Sequence, residues 1–88
     1  MQVRYQKRFL KQLAALPSGT RVQVEKFAFE KLPNASSIGE IGRIEKMKGY
    51  GDFYKTRFGA YRVGMKLEGE ILILQVVMDR KDIYKLFP

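Results

Sequence analysis

The sequence predicts an α+β fold, with two N-terminal helices packed on one face of a small, mainly antiparallel sheet in the order β-α-α-β-β-β. Three observations predict it. Phe53 to Leu67 alternates with the two-residue period of strands on either side of Gly59-Ala60, the natural place for a tight hairpin turn. Glu70 to Met78 is apolar on both faces, as a strand central in a sheet would be. Lys7 to Leu32 instead carries apolar residues at helical spacing, broken at Pro17-Ser18-Gly19. With 88 residues, 45% of them hydrophobic, the chain makes one domain (1–88) around one modest core.

In chain order, Met1 to Tyr5 forms a short first strand, with Val3 and Tyr5 alternating against Arg4. Phe9, Leu10, Leu13 and Leu16 make the apolar stripe of a first helix over Lys7 to Leu16. A second helix runs from about Thr20 to Leu32. Val24, Phe27, Ala28 and Leu32 are its buried side; Gln23, Lys26 and Glu30 face water, and Pro33-Asn34 ends it. The short connection makes the helices an antiparallel pair, to be laid on the face shared by Tyr54, Thr56, Phe58, Val63 and Met65. Ala35 to Lys46 reads as a loop, with Ile38, Ile41 and Ile44 pinning it to the core or continuing it as a short helical turn. Glu68-Gly69 turns the chain into the last strand.

The hairpin register puts Arg57 opposite Arg62 and Lys55 opposite Gly64, so Lys55, Arg57 and Arg62 share the face away from the helices. Like charges directly opposed destabilise a sheet, and a polyanion against this face would relieve them. Gly64 would let a ligand approach the backbone. The plainer reading is a solvated basic face in a chain with 17 Lys+Arg against 9 Asp+Glu. Ile71 and Ile73 fall on the same face, so part of it is apolar unless Leu86-Phe87 folds over it. Strict alternation would point Arg80 to the core with Leu72, Leu74 and Met78; it must therefore lie past the strand's end or beyond a bulge near Asp79.

A formal charge of +8 favours an anionic partner, nucleic acid first. No apolar run is long enough to span a membrane, and Met1 to Tyr5 has no signal-peptide core. Cysteine is absent, which suits the cytoplasm. Histidine is absent too, which excludes imidazole acid–base chemistry, the Ser-His-Asp triad and His-containing zinc sites. No cofactor or metal is expected, and any catalysis must use Lys, Arg, Tyr or carboxylates.

Met47-Lys48-Gly49, Tyr54-Lys55-Thr56-Arg57, Gly59-Ala60-Tyr61-Arg62 and Arg80-Lys81-Asp82-Ile83-Tyr84 stand in the order and spacing of one family. In these segments, and in its helical first half, the chain resembles the RelE/ParE toxin superfamily of type II toxin–antitoxin systems, the RelE-like branch in particular. The resemblance implies a ribosome-dependent, metal-independent endoribonuclease that cuts messenger RNA in the ribosomal A site and so inhibits translation. It also implies a cognate acidic antitoxin, expected to lie as an amphipathic segment over the cationic face.

Cleaving RNA without a metal requires the 2′-OH activated, the phosphorane charge stabilised and the 5′-oxygen neutralised; fixed cations serve the second need. The resemblance implies catalytic roles for Lys55, Arg57, Arg62, Arg80 and Tyr84. Lys55 matches a catalytic lysine. Arg57 stands where relatives often carry a second, and arginine keeps its proton, so it is a clamp rather than a base. Arg62 matches a phosphate-contacting arginine, Arg80 one near the leaving group, and Tyr84 a tyrosine that stacks on or orients the substrate. Arg80 also reads as a surface partner of Asp79 or Asp82, and Tyr84 as a lid on the core. Lys46, Lys48, Lys66 and Lys81 are the expected RNA contacts, although Lys81, like Lys85, also reads as a solvated lysine. A ParE-like gyrase inhibitor and a non-catalytic RNA-binding module are the alternatives; the five basic and aromatic site residues argue against the first.

Overall fold

A computed structural model describes all 88 residues, Met1–Pro88. Strand β1 (Gln2–Tyr5) is followed by helix α1 (Lys7–Ala14) and helix α2 (Ser18–Lys26). The second helix continues through a wider turn (Phe27–Lys31) into a last turn (Leu32–Asn34). Then come β2 (Ile44–Lys46), β3 (Phe53–Phe58), β4 (Tyr61–Glu68), β5 (Ile71–Asp79) and helix α3 (Arg80–Leu86). The sheet order is β1-β5-β4-β3-β2, antiparallel except for the β1–β5 pair. The elements expected from sequence are present, and two are added: the short edge strand β2 and the C-terminal helix.

The hairpin register is the expected one, with Phe58 opposite Tyr61, Arg57 opposite Arg62 and Lys55 opposite Gly64. Gly59 has φ 60°, which suits the first position of a tight turn between right-twisted strands. The next turn is centred on Gly69-Glu70, one residue later than Glu68-Gly69, since Glu68 already pairs with Ile71. Along β5 the pairing steps from Val76 to Leu74 opposite Gly64 and Met65, leaving Gln75 as an extra residue. This bulge corrects the alternation. Leu72, Leu74 and Val77 belong to the main core, while Val76 and Met78 turn to the opposite face. Arg80 lies past the strand's end, as the first residue of α3.

The main core packs Phe9 and Leu13 of α1 and Val24, Phe27, Ala28 and Leu32 of the second helix against Phe58, Val63, Met65, Leu72, Leu74 and Val77. Leu10 departs from the expected stripe and is 41% exposed. Pro33 explains the wide turn. It has no N–H, and its ring crowds the carbonyl four residues back, so the helix loosens ahead of it. Leu32 N–H reaches back five residues to Phe27 O, which leaves Ala28 O without a helical donor. The Tyr5 hydroxyl donates to that carbonyl and ties β1 to the helix. Burial pushes the Tyr5 phenol above its ordinary value of 10.0. Beyond the end of β1, Val77 N–H has no strand beside it and donates to Gln12 Oε1 of α1 at 3.0 Å.

The face opposite the helices is partly closed by the C-terminus, folded as α3. Asp79 caps this helix, its Oδ1 accepting from Lys81 N–H at 2.9 Å. Ile83 and Phe87 then pack with Val76 and Met78 into a second small core, against which Met47 and Phe53 also rest. Phe87 therefore folds over this face, whereas Leu86 is exposed and Ile71 and Ile73 stay half-buried. Gly64 is explained here as well. A Cβ on it would lie 2.7 Å from the Phe87 ring and 2.8 Å from Val76 Cγ2. The missing side chain makes room for Phe87, not for a ligand.

Candidate nucleic-acid interface

Beside the Phe87 contact, the uncovered end of this face is basic. Alternation along β3 brings Lys55 and Arg57 to it, two residues apart and thus about 7 Å along the strand. Arg62 reaches it from β4, and α3 brings Tyr84 across from the C-terminus. Lys55, Arg57, Arg62 and Tyr84, with Glu45 and Thr56, line a hollow of about 140 Å³. The Lys55 ammonium sits 5.2 Å from the centre of the Tyr84 ring, a cation–π distance. Tyr84 is 66% exposed, so it is no lid on the core and offers its ring to a ligand. Arg62 bends back over the hairpin, its Nη1 donating to Gly59 O at 2.9 Å and Tyr61 O at 3.0 Å. That fold reduces the expected clash with Arg57 by anchoring one guanidinium to backbone carbonyls. Arg43 Nη2 donates to Arg57 O at 2.9 Å, holding the β3 end of the hairpin from the loop before β2.

Arg80 is not in this hollow. It lies in an adjoining one of about 420 Å³, lined by Arg57, Gly59, Ala60, Asp79, Arg80 and Lys81. Arg57 belongs to both. The only ion pair in the molecule joins Lys66 to Glu68 at 3.3 Å, so none of these cations is ion-paired. Arg80 pairs with neither Asp79 nor Asp82.

The four lysines expected to contact RNA separate. Lys81 lines the second hollow. Lys48 is exposed in the loop after β2. Lys46 pairs in register with Tyr54, a residue of the helix-facing side, so it projects away from the basic face. Lys66 is on the basic face but four residues along β4 from Arg62, about 14 Å away. It sits over the Phe53 ring and is paired with Glu68.

Glu45 is the residue that sequence reasoning missed. It stands directly opposite Lys55, on a strand too short to show a period, and puts a carboxylate at the rim of the cationic hollow. No group of three or more acidic side chains is placed to hold a metal ion. The largest groove, about 630 Å³, lies elsewhere, between Met1, the Ser36–Gly39 loop, Tyr54, Leu67 and Glu70, and no lysine or arginine lines it. Its one cation, the Met1 ammonium, donates to Pro33 O and Ala35 O. No helix is long and apolar enough to cross a membrane.

No protein-family model matches the chain. Toxin RelE3 of Methanocaldococcus jannaschii is 36% identical over 89 residues, covering all of both chains. A chain in the crystal structure of the RelB-RelE antitoxin-toxin complex from Methanococcus jannaschii superposes with a TM-score of 0.81. It is 34% identical, and the match covers 97% of this chain and 99% of that one. A mutant of the E. coli toxin RelE in the free state superposes at 0.69 with 26% identity, over 96% and 90% of the two chains.

Proposed function

The chain belongs to the RelE toxin family, and from that premise we propose that it is the messenger-RNA-cleaving toxin of a type II toxin–antitoxin pair. One observation supports this above the others. Lys55, Arg57 and Arg62, from two strands, and Tyr84, from a helix, converge on one hollow in which none of the three cations is ion-paired and Glu45 is the one carboxylate. A phosphodiester in that hollow meets cations on one side and an aromatic face on the other. The 2′-OH attacks phosphorus and the P–O5′ bond breaks, giving a 2′,3′-cyclic phosphate and a 5′-hydroxyl end. Arg57 and Arg62 are suited to hold the charge that grows on the phosphoryl oxygens, because guanidinium keeps its proton and donates through a planar fork. Arg62 is held in place for this by its bonds to Gly59 and Tyr61. Tyr84 orients the substrate by stacking. The proton of the 2′-OH goes to Lys55 or to Glu45, the two groups at the rim that can accept one, and the departing 5′-oxygen takes its proton from solvent at the open rim, becoming the 5′-hydroxyl.

The substrate is message in the ribosomal A site, with ribosomal RNA completing the surround. The partner is an antitoxin with an acidic, amphipathic segment laid over the basic cluster and, farther along the same face, the half-buried Ile71 and Ile73, which stand opposite Glu68 and Lys66. The test is single-turnover cleavage on programmed ribosomes with Lys55→Ala, Arg57→Ala and Arg62→Ala variants. Each is expected to cleave at least tenfold more slowly. Ribosome binding with intact message in the unmutated protein would instead indicate a non-catalytic RNA-binding module.

A further inference from the structure

The second hollow adjoins the first and holds Arg80, the arginine that the resemblance puts near the leaving group, together with a cation that the chemistry just described does not use, Lys81. Arg57, from β3, faces Arg80 and Lys81, from the first turn of α3, across the Gly59-Ala60 hairpin turn. Backbone donors are already spent here: Arg80 N–H bonds Ala60 O and Lys81 N–H bonds Asp79 Oδ1, both at 2.9 Å. Three cationic side chains therefore define the hollow. Asp79 is the one acid lining it; it accepts from Lys81 N–H and pairs with no cationic side chain. Folding alone does not call for three unpaired cations around one concavity, since their mutual repulsion opposes it.

Resting on the ribonuclease reading, we propose that this hollow is a second phosphate subsite, taking the phosphodiester next to the scissile one on the same RNA strand. Arg57 carries the geometry. It lines both hollows, and its five donors in a rigid fork can bridge two neighbouring phosphates. Consecutive phosphates of a single strand are the ligand that places two anions on either side of one guanidinium. The subsite fixes strand register by backbone charge, without reading a base. The protein would therefore favour substrates with at least two phosphodiesters.

Non-cleavable 2′-deoxy oligonucleotides separate this idea from the catalytic one. Binding to the whole protein is measured at low salt for a dinucleotide with one phosphodiester and a trinucleotide with two. The trinucleotide should bind about fivefold more tightly, as expected for one added exposed ion contact. In Lys81→Ala that advantage should shrink to less than about twofold. The slope of log affinity against log salt for the trinucleotide should also become shallower by about 0.7, one single-strand phosphate contact. If Lys81→Ala weakens both ligands by the same factor, or neither, the subsite is overturned. A defect of Lys81→Ala on programmed ribosomes alone, with normal trinucleotide binding, would place the phosphate on another strand and overturn it too. A protein that binds as described but never cleaves would refute the ribonuclease reading and leave the subsite standing.

Discussion

Gly64→Ala should loosen the C-terminal helix without touching a single basic residue. The added Cβ would lie 2.7 and 2.8 Å from two carbons of the Phe87 ring and 2.8 Å from Val76 Cγ2, where ordinary contact begins at 3.4 Å. Neither neighbour has room, since both are buried in the second small core. Overpacking of this kind costs about 1–3 kcal/mol. A domain of this size loses about 4–8 °C of melting temperature per kcal/mol. The ring is the neighbour that can leave. Phe87 ends α3, and displacing it loosens the helix that carries Tyr84 and Arg80, so cleavage should slow as well. Thermal unfolding of Gly64→Ala, Phe87→Ala and the double variant tests the account. With the ring gone, adding the methyl group should cost less than half of what it costs in the native background, a coupling expected of residues in contact. An unchanged melting temperature in Gly64→Ala, or strictly additive costs, would refute the reasoning.

Tyr5→Phe should cost about 1–3 kcal/mol, because Ala28 O loses its donor at a partly buried site. The Tyr5 phenol is held above 10.0 by burial, so its contribution is full below that pH and is lost as pH rises through the folded-state value. Urea unfolding below and above pH 10.0 should show part of the alkaline decline missing from Tyr5→Phe. Arg62→Ala should abolish growth arrest on expression while changing stability by no more than about 1 kcal/mol, since one exposed and one partly buried hydrogen bond are lost as repulsion from Arg57 is relieved. An unfolded or fully toxic variant would count against its place in the site. Lys55→Arg tests which rim group takes the proton: if cleavage falls as far as in Lys55→Ala, the lysine is the base. A native rate, together with loss in Glu45→Gln, would assign the base to Glu45.

Amino-acid order alone settled what depends on near neighbours. Apolar spacing marked both N-terminal helices, and Phe9, Leu13, Val24, Phe27, Ala28 and Leu32 are buried where it put them. A two-residue turn leaves one register, so Arg57 opposite Arg62 and Lys55 opposite Gly64 could be read from Gly59-Ala60. The family and the basic face followed from short segments standing in order.

Tertiary structure decided whatever depends on residues far apart. Ile44–Lys46 is too short to show a period and becomes a strand only by pairing with β3, so Glu45 entered the site unannounced. Arg80 to Leu86 is too brief to be stable as an isolated helix, and it exists because Asp79 caps it and Val76 and Met78 receive Ile83 and Phe87. Val76 and Met78 face that way only because Gln75 is an extra residue, a bulge that no run of apolar letters reveals. For the same reason Gly64 read as room for a ligand, when the chain's own end fills it. Lys46, Lys48, Lys66 and Lys81 are alike in composition and became different in space: strand parity turned Lys46 away and distance removed Lys66, while α3 set Lys81 beside Arg57. A lysine's charge is local, but whether it adds to a site depends on which face and which end of the sheet it reaches.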